Sequence, residues 1–119
     1  MDTTLIERVN YFINLLHERK ANNVIAIDVR DKCNFTEYLI ISTGTATMHN
    51  KSIAEYVLDK SYDNKIQVLS IEGMDALTWI LIDLNDIIVH IFTEETFEKY
   101  NLEDLWTKRN IIPGIKNEN

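Results

Sequence analysis

The chain predicts an α/β domain: a mixed five-stranded sheet with helices packed on it, in the order α-β-β-α-β-β-β-α. Three observations predict it. Apolar residues recur at helical spacing twice in the first half, as Leu5, Val9, Phe12 and Leu16, and again as Ile53, Val57 and Leu58. Short runs rich in β-branched and apolar residues, Val24–Val29, Phe35–Ser42, Ile66–Ile71, Leu77–Asp83 and Asp86–Phe92, are bounded by polar turns. The length of 119 residues, with 45% hydrophobic and 26% charged, suits one ordinary globular core.

Each element follows in order. Thr4 and Glu7 have the spacing of a capping box, so a helix is expected over 4–20. Ala21-Asn22-Asn23 ends it, and Val24–Val29 forms a buried strand. The turn at Arg30-Asp31-Lys32-Cys33-Asn34 is short, so Phe35–Ser42 is expected to pair antiparallel with that strand. Ser42-Thr43-Gly44-Thr45-Ala46-Thr47 then connects to the second helix, with His49 on its first turns. A strand, a helix and the strand Ile66–Ile71 imply a right-handed crossover between parallel strands. Glu72-Gly73-Met74-Asp75 is a turn, and Leu77–Asp83 with Asp86–Phe92 is a hairpin around Leu84-Asn85. Thr93 is placed to cap a helix over Glu94–Tyr100, whose Glu94 and Glu95 suit the positive end of the helix dipole. Asn101 is placed to cap a last turn through Trp106, and Pro113-Gly114 marks a frayed end. Residues 1–106 therefore read as one domain and 107–119 as a flexible tail.

Charge narrows the function. Ile71–Trp106 holds nine Asp or Glu and one Lys, a balance of −8 against −7 for the whole chain. Such a surface suits a basic partner, and it argues against charge-driven binding to nucleic acid. No apolar run is long enough to cross a bilayer, so a cytoplasmic protein is expected. The single Cys33 can form no internal disulfide, which fits a reducing compartment. His17, His49 and His90 are scattered and no Cys or His cluster occurs, so neither a metal site nor a cofactor is expected.

The second half carries a series of short motifs in fixed order. They are Thr43-Gly44-Thr45 with His49, Glu72-Gly73, Trp79, Asp83-x-x-Asp86-x-x-Val89-His90, and Tyr100-x-Leu102-Glu103-x-Leu105-Trp106. Over roughly Val24–Trp106 this series resembles the ribosomal silencing factor (Iojap-like) family. The resemblance implies a non-enzymatic factor that binds ribosomal protein fourteen of the large subunit. Seated there, it blocks small-subunit joining and represses translation; mitochondrial relatives act in large-subunit biogenesis. Three positions depart from the family pattern. Asn85 stands where Gly is usual, Phe97 where Arg is usual, and Met48 where a basic residue is frequent. Asn tolerates a left-handed backbone, so the hairpin turn survives, but the other two changes remove positive charge.

Six residues are expected to bind the partner: Glu72, Trp79, Asp83, Asp86, His90 and Tyr100. Trp79, Leu81 and Asp83 share one strand face, and an unpaired Asp83 resists burial, so that face is expected to be the more open one. On pattern alone Trp79 reads slightly better as core; the resemblance makes it an interface anchor. His90 is assigned to the face of Asp86, Ile88 and Phe92, with partner contact or pairing to Asp86 as its two roles. The ring of Tyr100 packs while its hydroxyl reaches out, and Trp106 reads as core. The resemblance favours Glu72 as a contact and leaves Asp75 undecided. The alternative is a nucleotide-binding or nucleotidyltransferase-type enzyme using the Thr43-Gly44-Thr45 turn. The element order resembles the nucleotidyltransferase scaffold, but no Asp-x-Asp occurs to hold Mg²⁺ and no Gly-Lys pair follows the turn. The scaffold is therefore expected without catalytic residues. A homodimer of the free chain, formed through exposed apolar strand surface, is compatible with the first reading.

Overall fold

Thr4 and Glu7 form the expected capping box. The Glu7 amide donates to Thr4 Oγ1 at 3.1 Å, and the Thr4 amide donates to Glu7 Oε1 at 3.0 Å. Helix α1 follows over Leu5–Glu18 and buries Val9, Phe12, Ile13, Leu15 and Leu16 along one stripe. It stops because Lys20 turns left-handed, with φ 63°. That turn lets the Lys20 amide reach the His17 carbonyl at 2.9 Å and the Ala21 amide reach the Leu16 carbonyl at 3.0 Å. A computed structural model of the chain describes residues 4–31, 34, 36–99, 110 and 111. Cys33, Phe35, Tyr100 and Trp106 lie outside the described residues, as does the turn proposed after Asn101.

The strands are β1 (Asn22–Asp28), β2 (Tyr38–Gly44), β3 (Ser70–Glu72), β4 (Trp79–Asp83) and β5 (Ile87–Thr93). These five form the expected mixed sheet, extended by a two-residue β6 (Asn110–Ile111) that pairs antiparallel with Ile27 and Asp28. Spatial order is β3-β4-β5-β2-β1-β6. Strands β1 and β2 are antiparallel, as expected, but β1 begins at Asn22 because a register shift between Asn22 and Ile25 carries it past the asparagines. Helix α2 occupies Thr47–Asp63 and α3 occupies Glu94–Lys99.

One expectation about the third strand, its length, needs correction. Only Ser70–Glu72 is paired, because Ser70 lies opposite Asp83, the last residue of β4, and the chain before it runs beyond the end of that strand. Strand β3 does not lie beside β2. The hairpin lies between them, with β5 parallel to β2 from Tyr38↔Ile87 to Gly44↔Thr93. Successive pairings still leave β2 and β3 pointing the same way.

Helices α1 and α2 cover one face of the sheet. Its side chains Val24, Ala26, Ile40, Ile80, Ile82, Val89 and Ile91 join Phe12, Leu16, Ile53 and Val57 in the larger core. The other face buries Ile25, Ile27, Ile41 and Phe92, with Phe97 of α3 packed on them. Phe97 is thus part of the packing that seats α3. Strict alternation along β4 and β5 separates the two sets, which aims Trp79, Leu81, Asp83, Ile88, His90 and Phe92 away from α1 and α2.

Candidate functional site

Trp79 opens β4 directly opposite Phe92, and Leu81 lies opposite His90. The indole is 37% exposed. Its Nε1–H donates to His90 Nδ1 at 3.0 Å, a diagonal contact across the antiparallel pair. An indole nitrogen can only donate, so Nδ1 accepts and the neutral imidazole carries its proton on Nε2. The rings form a cluster: Trp79 to Phe92 at 4.9 Å, His90 stacked on Phe92 at 5.9 Å and 10°, and Phe97 edge-on to Phe92 at 6.0 Å. Burial pushes the His90 imidazolium down to about 4, because the charged form loses hydration.

Two carboxylates share this face of the sheet. Glu72, opposite Leu81, is exposed and lies on the same face. Asp83 is half-buried, and its Oδ1 accepts the Asn85 amide at 2.9 Å. That bond steadies the left-handed Asn85, whose φ is 81°, so the Asn-for-Gly turn stands as expected. Gly73, at φ 87°, is placed so tightly that a Cβ would come 2.0 Å from the Trp79 carbonyl oxygen. Only glycine allows this turn to pass beneath the start of β4.

Asp86 does not join the cluster. It precedes β5, so strand alternation does not fix its direction, and it turns toward α1. There it forms a bidentate pair with Arg8, with Nη1 to Oδ1 at 2.8 Å and Nη2 to Oδ2 at 2.7 Å. The placement of Asp86 and His90 on one face is therefore corrected, and the partner of His90 is Trp79 rather than Asp86. Arg8 is the residue that sequence reasoning missed here. It lies 78 residues away on an amphipathic helix, and no local pattern pairs it with the hairpin.

The Thr43-Gly44-Thr45 turn is engaged within the fold. Thr43 is fully buried; its Oγ1 donates to the Asn22 carbonyl at 3.2 Å and accepts from Asn23 Nδ2 at 3.0 Å. The Thr45 amide donates to His49 Nδ1 at 2.9 Å, and His49 Nε2 meets the Arg19 carbonyl at 2.7 Å. His49 thereby caps the start of α2 and ties it to the end of α1. A Cβ on Gly44 would come 2.1 Å from Asn50 Oδ1, so glycine makes room for that buried amide. Asn50 in turn donates from Nδ2 to the Leu77 carbonyl at 2.8 Å, holding the left-handed Leu77 at φ 66°. Asn50 was not singled out from sequence. Its one signal is a polar residue on the buried stripe of a helix. Among the described residues no group of three or more His, Cys, Asp or Glu is placed to hold a metal, and no helix is long and apolar enough to cross a membrane.

Comparisons with known proteins point one way. The family described as ribosomal silencing factor during starvation matches residues 2–119. The ribosomal silencing factor of Bacillus subtilis is 34% identical over 89 residues, covering 75% of this chain and 75% of that one. The mouse protein named for mitochondrial assembly of the ribosomal large subunit is 31% identical over 104 residues, 85% of this chain and 46% of its own length. A solved structure from Chromobacterium violaceum superposes with TM-score 0.84 over 97% of this chain and 96% of that one, at 22% identity, a likeness of fold.

Proposed function

This chain belongs to the ribosomal silencing factor family, and from that premise we propose that it docks on the large ribosomal subunit through ribosomal protein fourteen. Docked there, it blocks small-subunit joining by bulk and represses translation. The observation that carries the reading is a partly exposed indole on a sheet face that also carries the carboxylates Glu72 and Asp83. Large aromatic side chains on accessible faces are the usual energetic centres of protein interfaces. Acidic residues around them steer and orient a basic partner, and ribosomal proteins are generally basic.

In this reading Trp79 is the anchor, Glu72 and Asp83 supply the charge, and His90 belongs to the patch. Tyr100 is proposed as a further rim contact. Asp86, neutralised by Arg8, contributes by bracing the hairpin against α1. No bond-making step is required. The mouse relative's name, which places it in large-subunit assembly, supports the choice of subunit and admits a role in biogenesis.

The test is co-sedimentation of the full chain with purified large subunits, followed by light scattering as small subunits are added. Wild type is expected to bind and to suppress joining. Trp79→Ala is expected to lose about 2–4 kcal/mol of binding and with it the suppression. Equal binding by both proteins rejects the anchor. Binding without suppression rejects the steric mechanism.

A further inference from the structure

We propose that His90 is a positioning residue for docking: its Nδ1 holds the Trp79 indole in one orientation, and it acts on the partner through that indole. This rests on the docking reading above and deepens it.

Trp79 sits at the first residue of its strand, after the turn that begins at Gly73. Its contact with the Phe92 ring, 4.9 Å away and tilted by 34°, is without strong direction. The bond to His90 is directional, and it fixes which edge of the indole faces the sheet. An anchor already held in its bound rotamer loses less freedom on docking.

The surroundings of His90 favour this role over direct contact. Across β4 it faces Leu81 and across β2 it faces Ile41, and Phe92 stacks on it along its own strand. The charged groups that β3 and β4 present on this face, Glu72 and Asp83, lie opposite Leu81 and Ile88 rather than opposite His90. An imidazole in this apolar setting stays neutral at neutral pH and keeps Nδ1 as an acceptor. Nδ1, the one ring nitrogen that can accept a hydrogen bond, is thus already occupied by the indole.

The experiment uses the full chain with ¹⁵N-labelled tryptophan, the Trp79 indole signal being identified by its loss in Trp79→Phe. His90→Asn places an oxygen where Nδ1 stood, while His90→Leu removes the acceptor. In His90→Leu the indole proton is expected to move upfield, and affinity for large subunits to fall about fivefold to tenfold. In His90→Asn both are expected to stay near wild type. Trp79→Phe, which keeps a ring but has no N–H, should lose a similar factor, and the double variant Trp79→Phe/His90→Leu should bind no worse than the weaker single one. The proposal is overturned if His90→Leu shifts the indole signal yet binds like wild type. It is equally overturned if His90→Asn binds as poorly as His90→Leu, or if the losses in the double variant simply add. Wild-type binding by Trp79→Ala instead sinks the docking reading itself, which keeps the two failures apart.

Discussion

Asp86 meets Arg8 through two short bonds, and the side chains remain 21% and 28% exposed. Partly solvated pairs contribute modestly, but this one has bidentate geometry and ties the hairpin to α1. Asp86→Asn is expected to lower stability by about 1 kcal/mol in urea denaturation while leaving large-subunit binding near wild type; strong loss of binding with unchanged stability would restore Asp86 to the contact surface. His90 makes a pH prediction. Its folded pKa of about 4 lies below the ordinary value of 6.5, so the unfolded chain binds the extra proton between those pH values. The stabilising contribution is complete above that window and declines as pH falls through it, on the order of 3 kcal/mol in all. Thermal unfolding of wild type should fall more steeply from pH 7 to pH 4 than that of His90→Asn; parallel curves would contradict the burial of a neutral imidazole. Neither residue's partner was legible in sequence. A strand's alternation gives the face of a side chain, as it did for Trp79 and Asp83, but not the residue it meets across chain-distant elements.

At the scale of elements, the start of α2 is stabilised by side chains that reach backward. Ala46 at its N-cap offers no side-chain bond, and His49 supplies the acceptor for the Thr45 amide instead. His49→Ala is expected to cost about 1–2 kcal/mol in chemical denaturation, since it frees an amide at a helix start and breaks the tie to α1; unchanged stability would show that solvent replaces both bonds. Gly73→Ala should be more damaging, because the new Cβ meets the Trp79 carbonyl at 2.0 Å in a backbone region that favours glycine. Displaced indole fluorescence together with lost stability is the expected result. The helices and strands were readable because their apolar periodicities are clean. Their edges were less so, for a physical reason. Turns are usually signalled by glycine, yet the left-handed positions here are filled largely by Lys20, Asn23, Lys65, Leu77 and Asn85. A left-handed leucine held by Asn50 across the fold leaves no local trace, and the expected strand at Leu77 begins two residues later, at Trp79.

For the whole molecule, the sheet separates two tasks. One face is closed by α1 and α2 and carries the larger core. The other is covered in part by α3 and leaves the Trp79 region accessible beside β3. The excess of acid in Ile71–Trp106 was visible in composition, and it is what suggests a basic partner for this region. What could not be read was the insertion of the hairpin between β2 and β3. The β2–β5 register joins residues almost 50 positions apart, such as Ile41 and His90, and no local pattern encodes it. That insertion brings His90 beside Ile41 and completes the apolar floor beneath the indole. The most direct measurement is the affinity of the full chain for purified large subunits, wild type against Trp79→Ala. Trp79→Ala is expected to lose about 2–4 kcal/mol with the fold intact by circular dichroism. Equal affinities from two folded proteins would contradict it.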